Sequence, residues 1–182
     1  MIIKGILAVL IIILSTLTGY LVSLNYEFRI KQITAFIYSI KVMEAEMSYS
    51  KNFLIDIIKK LSKSNEKIIC HFYENMADLL SRSYGKDFSD IWCTSVDISF
   101  ETSDLSDTDI KIIKDFGKNL GKIDIKNQQK IFDYFYKRFE LQLEEAINEK
   151  TKKSRVYKNL GVAAGVMVVV VLIWEKTMEG KR

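Results

Sequence analysis

Two uncharged apolar runs, one near each end of this 182-residue chain, constrain its fold more than any other feature. Residues 5–24 are mostly Ile, Leu and Val, and about 20 such residues form a helix that spans the core of a bilayer. Residues 160–174 reach that length if the residues before them also enter the membrane and Lys158 extends its amine back to the headgroups. The predicted boundaries are 1–25 and 156–174 for two transmembrane helices, 26–155 for a central domain and 175–182 for a short charged tail.

A cleaved secretory signal is the alternative for the first run, since Lys4 precedes it. The run is longer than a usual signal core, and no small-x-small cleavage motif follows it closely. Bulky residues, among them Tyr20 and Tyr26, occupy the place where a peptidase would cut. These features favour a retained membrane anchor.

The second run carries small residues on one helical face, where another membrane helix could approach closely. Aromatic residues bracket it, as is typical of side chains at a membrane interface. The small residues, predicted to take part in membrane-helix packing, are Gly161, Ala164 and Gly165. The bracketing residues are Tyr157 and Trp174.

Basic residues near the membrane ends predict the orientation of the chain. The net charge is +4, and the positive charge lies beside the apolar runs rather than in a patch suited to nucleic acid. More basic residues stand on the side of the central domain than on the side of the termini, which places the domain in the cytoplasm and both termini outside. Those on the domain side are Arg29, Lys31, Lys150, Lys152, Lys153, Arg155 and Lys158.

The central domain shows apolar residues at helical spacing, and this predicts an all-α fold, a small antiparallel bundle of about six helices. The segment 88–100 also alternates in a way compatible with a strand, but helices on both sides favour a helix. The first, third and fourth predicted helices are 26–48, 65–83 and 88–100. The second is a short helix that Ser50 or Asn52 caps, with Phe53 in its buried stripe. The fifth begins at Ser106 and the sixth at Asp124.

Four further predictions concern individual positions, and the first two concern helix ends. Ser106 and Asp109 have the spacing of a capping box at the start of the fifth helix. Gly85 is placed to end the third helix in a left-handed conformation. Gly117 is expected to let two helices approach closely, and Arg29 is placed on the polar face of the first helix.

The sequence offers little that indicates catalysis. His71, the only histidine, stands beside Cys70, but adjacent helical residues point about 100° apart and cannot readily share a metal. Cys70 and Cys93 are expected to be free, buried thiols in a reducing compartment. No catalytic residue, metal site or cofactor is predicted, and the domain is interpreted as a binding module.

Glu44 and Glu46 are the carboxylates of most interest, although a separation of two places them on nearly opposite faces of a helix. Glu44 lies near the buried stripe and requires a partner. It is interpreted either as part of an internal salt bridge or as a recognition site for another protein. Charge reversal at Glu46, if that residue is exposed, is expected to weaken association with a partner without unfolding the domain.

Over essentially its full length the chain resembles the stage III sporulation protein AB family, membrane proteins made by the mother cell of spore-forming bacteria. The resemblance rests on a glutamate motif after the first apolar run and on a later string of Phe-Gly, Leu-Gly, Asp and Gln. The glutamate motif is residues 43–49, and the later string is residues 116–121, Asp124 and residues 128–129. Residues 15–19 and 158–161, in or beside the two apolar runs, also match. The tail after Trp174 is longer and more charged than the family pattern.

The resemblance implies a non-enzymatic platform subunit of the channel complex that joins mother cell and forespore, located in the mother-cell membrane that faces the forespore. The soluble domain is similar to cytoplasmic domains of the platform protein of type II secretion and type IV pilus machines. Expected partners are the membrane, other sporulation channel subunits and a cytoplasmic ATPase, with a homo-oligomer allowed and no nucleic acid. The expected partner-binding residues are Glu44, Glu46, Tyr49, Gly117, Gly121, Asp124 and Gln128.

Two other classes of function stay open at this point. One is a membrane-anchored helical sensor that transmits a signal, and the other is a membrane-bound enzyme with an unrecognised site. Convergent titratable residues in a cleft would favour the enzyme, whereas a flat or grooved face would favour the platform.

Overall fold

The computed structural model describes residues 2–50, 53–63, 66–82, 85–120 and 128–154, together with 156, 159, 163, 166, 167 and 170. These residues form six α-helices and contain no strand, which confirms the all-α prediction. The helices are α1 (Ile2–Ala45), α2 (Leu54–Leu61), α3 (Lys67–Arg82), α4 (Phe88–Phe100), α5 (Asp107–Leu120) and α6 (Gln128–Glu149). A π-helical turn, Glu46–Ser50, follows α1 and a second, Lys150–Ser154, follows α6.

The chain divides into two compact units. One consists of Met1–Glu27 with Ala146–Arg182, and within it Lys150 lies 3.5 Å from Glu27 while Lys153 lies over the ring of Tyr26 at 5.9 Å. The other is the helical domain, Phe28–Glu145. Measured over the described residues, no helix has both the length and the apolarity that crossing a membrane requires. The two transmembrane helices stay predictions.

Within the helical domain, α1 and α6 are antiparallel, because residues further along α1 meet residues earlier in α6. Arg29 lies 3.9 Å from Glu145, the rings of Phe36 and Phe139 are 5.3 Å apart, and Glu44 meets Gln129 and Tyr136. The remaining helices pack in sequence, α2 on α3, α3 on α4 and α4 on α5. The predicted antiparallel arrangement of the first and last helices of the domain is therefore observed.

The core of the domain is an aromatic cluster centred on Phe36 of α1. Its ring lies 5.3–6.5 Å from rings contributed by α3, α4 and α6, in tilted or edge-to-face arrangements of the kind that aromatic side chains prefer. The rings around it are Phe72, Trp92, Phe100 and Phe139. Phe36 is fully buried, so one α1 side chain joins three other helices.

Trp92 fixes the contact between α4 and α5. Its indole N–H donates to the carbonyl of Ile113 at 2.9 Å, and its ring lies over Gly117. A Cβ placed on Gly117 would stand 2.1 Å from the Trp92 ring, so no side chain fits there. The expectation that Gly117 permits close helix approach is confirmed, and the helical prediction for 88–100 is confirmed by α4.

A buried ion pair joins α1 to α5. Arg29 is 7% exposed and Asp109 is 1% exposed. The Arg29 guanidinium donates from Nε to Oδ2 of Asp109 at 2.8 Å and from Nη2 to Oδ1 at 3.2 Å, and Nη2 also donates to Ser106 Oγ at 3.2 Å. With its amide nitrogen facing the carboxylates, Gln142 of α6 donates to Asp109 at 3.0 Å and to Glu145 at 3.2 Å. The placement of Arg29 on a solvated polar face is therefore wrong.

The ends of the helices confirm two sequence predictions and correct another. The backbone N–H of Ser106 donates to Asp109 Oδ2 at 2.8 Å and the N–H of Asp109 donates to Ser106 Oγ at 3.2 Å, which completes the predicted capping box. Gly85 has the predicted left-handed backbone, with φ of +83°. The first residue before α2 is Phe53, which makes no side-chain cap, so the predicted cap from Ser50 or Asn52 is wrong. Phe53 is 80% exposed rather than buried.

The contact between Gly117 and Trp92 predicts that Gly117→Ala destabilises the domain by about 3 kcal/mol, because the new methyl group overlaps the indole and must displace it. Gly85→Ala is the matched control, since nothing lies within 4 Å of a Cβ at Gly85 and its strained φ alone costs about 1 kcal/mol. Thermal and urea unfolding of the purified chain measure both. Equal stabilities for the two variants would contradict the packing role of Gly117.

The Arg29–Asp109 pair predicts that Asp109→Asn, which removes the buried counter-charge of the guanidinium and leaves the exposed Glu145 at 3.9 Å, costs about 3 kcal/mol of unfolding free energy. Adding Arg29→Met removes that orphaned charge. The double variant is therefore expected to lose less stability than the sum of the single variants. Strictly additive losses in a double-mutant cycle would show that the two side chains are not coupled.

Candidate partner-binding surface

Glu44 is engaged inside the domain on both of its carboxylate oxygens. Gln129 Nε2 donates to Oε1 at 2.6 Å and the Tyr136 hydroxyl donates to Oε2 at 2.5 Å, both from α6. The side chain is half-buried between the two helices. These contacts agree with an internal partner for Glu44, supplied by hydrogen-bond donors on α6 rather than by a Lys or Arg.

The same contacts keep Tyr136 in its neutral, donating form. Burial raises the pKa of the Tyr136 hydroxyl well above its ordinary value, and the hydrogen bond to Glu44 and the negative charges of Glu44 and Asp133 raise it further. Lys41 Nζ lies 5.8 Å from the centroid of the same ring. The Tyr136 hydroxyl therefore keeps the proton that it donates to Glu44 throughout the physiological range of pH.

Glu46 is also engaged within the chain. It begins the π-helical turn after α1 and forms an ion pair with Lys60 Nζ of α2, and only 16% of its side chain is exposed. Charge reversal at Glu46 is expected to weaken partner binding only if this residue is exposed, and its side chain is mostly buried. A basic residue at this position would face Lys60 and disturb the link between the turn and α2.

The other predicted partner-binding residues occupy varied positions. Gly117 is buried under Trp92. Tyr49 lies in the π-helical turn Glu46–Ser50, and Gln128 is the first residue of α6. The predictions for Gly121, Asp124, Gly161, Ala164 and Gly165 lie outside the described residues.

His71 and the two cysteines form no constellation with other reactive groups in the described part of the chain. His71 is exposed, and its ring nitrogen Nε2 is 3.2 Å from the Asn75 amide, which also donates to Ser99 Oγ at 3.0 Å. Cys70 donates from Sγ to the carbonyl of Ser62 at 2.8 Å. Both thiols are free and half-exposed rather than buried. No group of three metal-ligating side chains occurs among the described residues.

An exposed apolar patch at the start of α2 escaped sequence analysis. We define the Phe53 patch as Phe53, 80% exposed, and Ile55, 39% exposed. Phe53 precedes the first helical residue and has an extended backbone, so the 3.6-residue period that buries Ile57 and Ile58 does not extend to it. A lone aromatic side chain that solvent surrounds at a helix start resembles the anchor residues of protein interfaces.

Comparison with known proteins agrees with the observed fold. A solved structure of stage III sporulation protein AB superimposes with a TM-score of 0.64 at 21% sequence identity, covering 69% of this chain and 98% of the other. The curated stage III sporulation protein AB of Bacillus subtilis (strain 168) is 25% identical over 167 residues, which is 91% of this chain and 96% of the relative.

The family model described as stage III sporulation protein AB matches residues 4–173, and so includes the first apolar run, the helical domain and all but the last residue of the second run. Such a match, extending over nearly all of the 182 residues, is more than a shared domain. The chain belongs to the stage III sporulation protein AB family.

Proposed function

We propose that this protein is a non-enzymatic membrane subunit of the mother cell–forespore channel complex of sporulation, and that it acts by binding other channel subunits and a cytoplasmic ATPase. The observation that carries the proposal is the family match over residues 4–173. The internal engagement of Glu44 and Glu46 supports a binding role over an enzymatic one, because these carboxylates stabilise helix contacts instead of converging on a cleft.

Membrane anchoring is the first part of the proposal. Five apolar side chains of α1 are 50–58% exposed, and four after α6 are 49–69% exposed. Exposed apolar surface of this extent is unfavourable in water, and lipid would shield it along the two apolar runs. The α1 residues are Leu10, Ile13, Leu14, Leu17 and Leu21, and the later residues are Val156, Val166, Met167 and Val170.

The proposed topology predicts which positions an impermeant maleimide reaches from outside intact cells. In a Cys70→Ser/Cys93→Ser background, Lys4→Cys and Lys181→Cys are expected to react, because both termini lie outside. Lys111→Cys, on the exposed side of α5, is expected to react only after the membrane is permeabilised. Labelling of Lys111→Cys in intact cells would place the helical domain outside and contradict the topology.

The Phe53 patch is the proposed contact with the ATPase. It follows the π-helical turn that contains Glu46 and Tyr49, so it lies next in the chain to the glutamate motif. Unlike Glu44 and Glu46, Phe53 and Ile55 present their side chains to solvent. An exposed aromatic residue gains binding free energy when a partner buries it, and truncation of such anchors weakens protein complexes strongly.

Phe53→Ala is accordingly expected to reduce co-purification of the ATPase at least about tenfold. Because Phe53 is 80% exposed, its truncation leaves the thermal unfolding of the chain unchanged. Ile98→Ala is the matched control, since Ile98 is an apolar side chain of α4 that is 52% exposed. Unchanged co-purification with Phe53→Ala, or an equal loss with Ile98→Ala, would overturn this assignment of the surface.

A further inference from the structure

An open groove runs along the outer face of α1. Its volume is about 690 Å³, and the turn between α2 and α3 forms its far wall. We define the α1 groove by its floor, Ile30, Thr34, Ala35 and Tyr38, and by its rim, Lys31, Lys63 and Glu66. All of these residues belong to the helical domain.

The floor of the α1 groove presents mainly apolar surface, although Thr34 and Tyr38 each carry a hydroxyl group. The Thr34 hydroxyl donates to the carbonyl of Ile30 at 2.8 Å, which satisfies its polar atom within α1. Tyr38 is 67% exposed, a large aromatic surface for a residue on a packed helix. The rim is positive, since it carries two lysines and one glutamate. The groove therefore suits an apolar ridge with negative charge beside it.

The outer face of α6 has the opposite character. We define the α6 ridge by Tyr134 and Leu141, each 57% exposed. Three exposed carboxylates, those of Asp133, Glu140 and Glu144, border it, with Lys137 between them. The nearby cation Arg138 is engaged within its own chain, because it lies 3.5 Å from Asp115 and 5.6 Å from the ring centroid of Tyr134.

The two surfaces also match in length. At 1.5 Å per residue, Tyr134 and Leu141 are about 10 Å apart along α6, and Ile30 and Tyr38 are about 12 Å apart along α1. The ridge of one chain does not fill its own groove, because both are open to solvent in the same molecule. The inner face of α6 is already occupied, with Phe139 packed on Phe36.

We propose that the α6 ridge of one copy docks into the α1 groove of a second copy. Leu141 and Tyr134 cover the floor, and Glu144 and Glu140 meet the lysines of the rim. Because the contact joins two different surfaces, it is heterologous, and each copy keeps one ridge or one groove for a further copy unless the assembly closes. This self-association is independent of ATPase binding at the Phe53 patch.

Disulfide cross-linking of the full chain in membranes tests the pairing directly. Because Glu144 meets Lys31 and the ridge spans the groove, Tyr134 of one copy lies at the Tyr38 end of the other. Two differently tagged copies are co-expressed in a Cys70→Ser/Cys93→Ser background, one with Tyr38→Cys and the other with Tyr134→Cys. We expect a cross-linked dimer that contains both tags, and little product when either variant is expressed alone. Cross-linking of Tyr38→Cys to itself, or no mixed product, would overturn the proposal.

Exchanging the charges of the groove rim and the ridge is a second test of the same contact. Lys31→Glu in both copies, or Glu144→Lys in both copies, is expected to reduce the mixed product about tenfold, because like charges then face each other. Lys31→Glu in the Tyr38→Cys copy with Glu144→Lys in the Tyr134→Cys copy should restore it. Ile98→Ala, on a face outside both surfaces, should leave it unchanged. Association through the apolar runs alone would be insensitive to these charges, and that result would also overturn the proposal.

Discussion

The Arg29–Asp109 ion pair is the interaction on which the arrangement of the helices depends. Burying two charges is costly unless every polar atom finds a partner. Here the guanidinium meets the carboxylate through two hydrogen bonds, and Ser106 accepts a third. Asp109 also accepts the backbone N–H of Ser106 at the start of α5, where the helix dipole favours a negative charge. One carboxylate therefore begins α5 and ties it to α1.

The ion pair between Arg29 and Asp109 also positions α5 against the aromatic core. With Asp109 fixed against α1, the same helix places Gly117 about two turns further on, where the indole of Trp92 requires a residue without a side chain. Trp92 in turn contacts Phe36 and Phe72, so α3, α4 and α5 share one cluster with α1. A charged contact at one end and an aromatic contact further along thus define the position of α5 in the domain.

Sequence reasoning succeeded where the signal was local. The periodic stripes predicted the helices, and the short-range chemistry of Ser106, Asp109 and Gly85 predicted their ends. It failed where the partner was distant, since Arg29 and Asp109 are 80 residues apart and no local pattern marks Arg29 as buried. Phe53 was misplaced because helical periodicity was extended one residue beyond the start of α2. Glu44 required a partner, but only the folded structure identifies Gln129 and Tyr136.

The polar residues that looked most suited to recognition are the ones that the fold uses internally, and this changes where recognition can occur. Glu44 stabilises the contact of α1 with α6, and Glu46 links the π-helical turn to α2. What the domain offers to other proteins is therefore mainly apolar surface with charge around it: the Phe53 patch, the α1 groove and the α6 ridge. The Phe53 patch, the α1 groove and the α6 ridge share no residue, so the proposed contacts with an ATPase and with neighbouring copies would not compete for the same side chains. On the proposed function, such a subunit binds its partners through apolar packing at these surfaces, because its carboxylates are already used inside the domain.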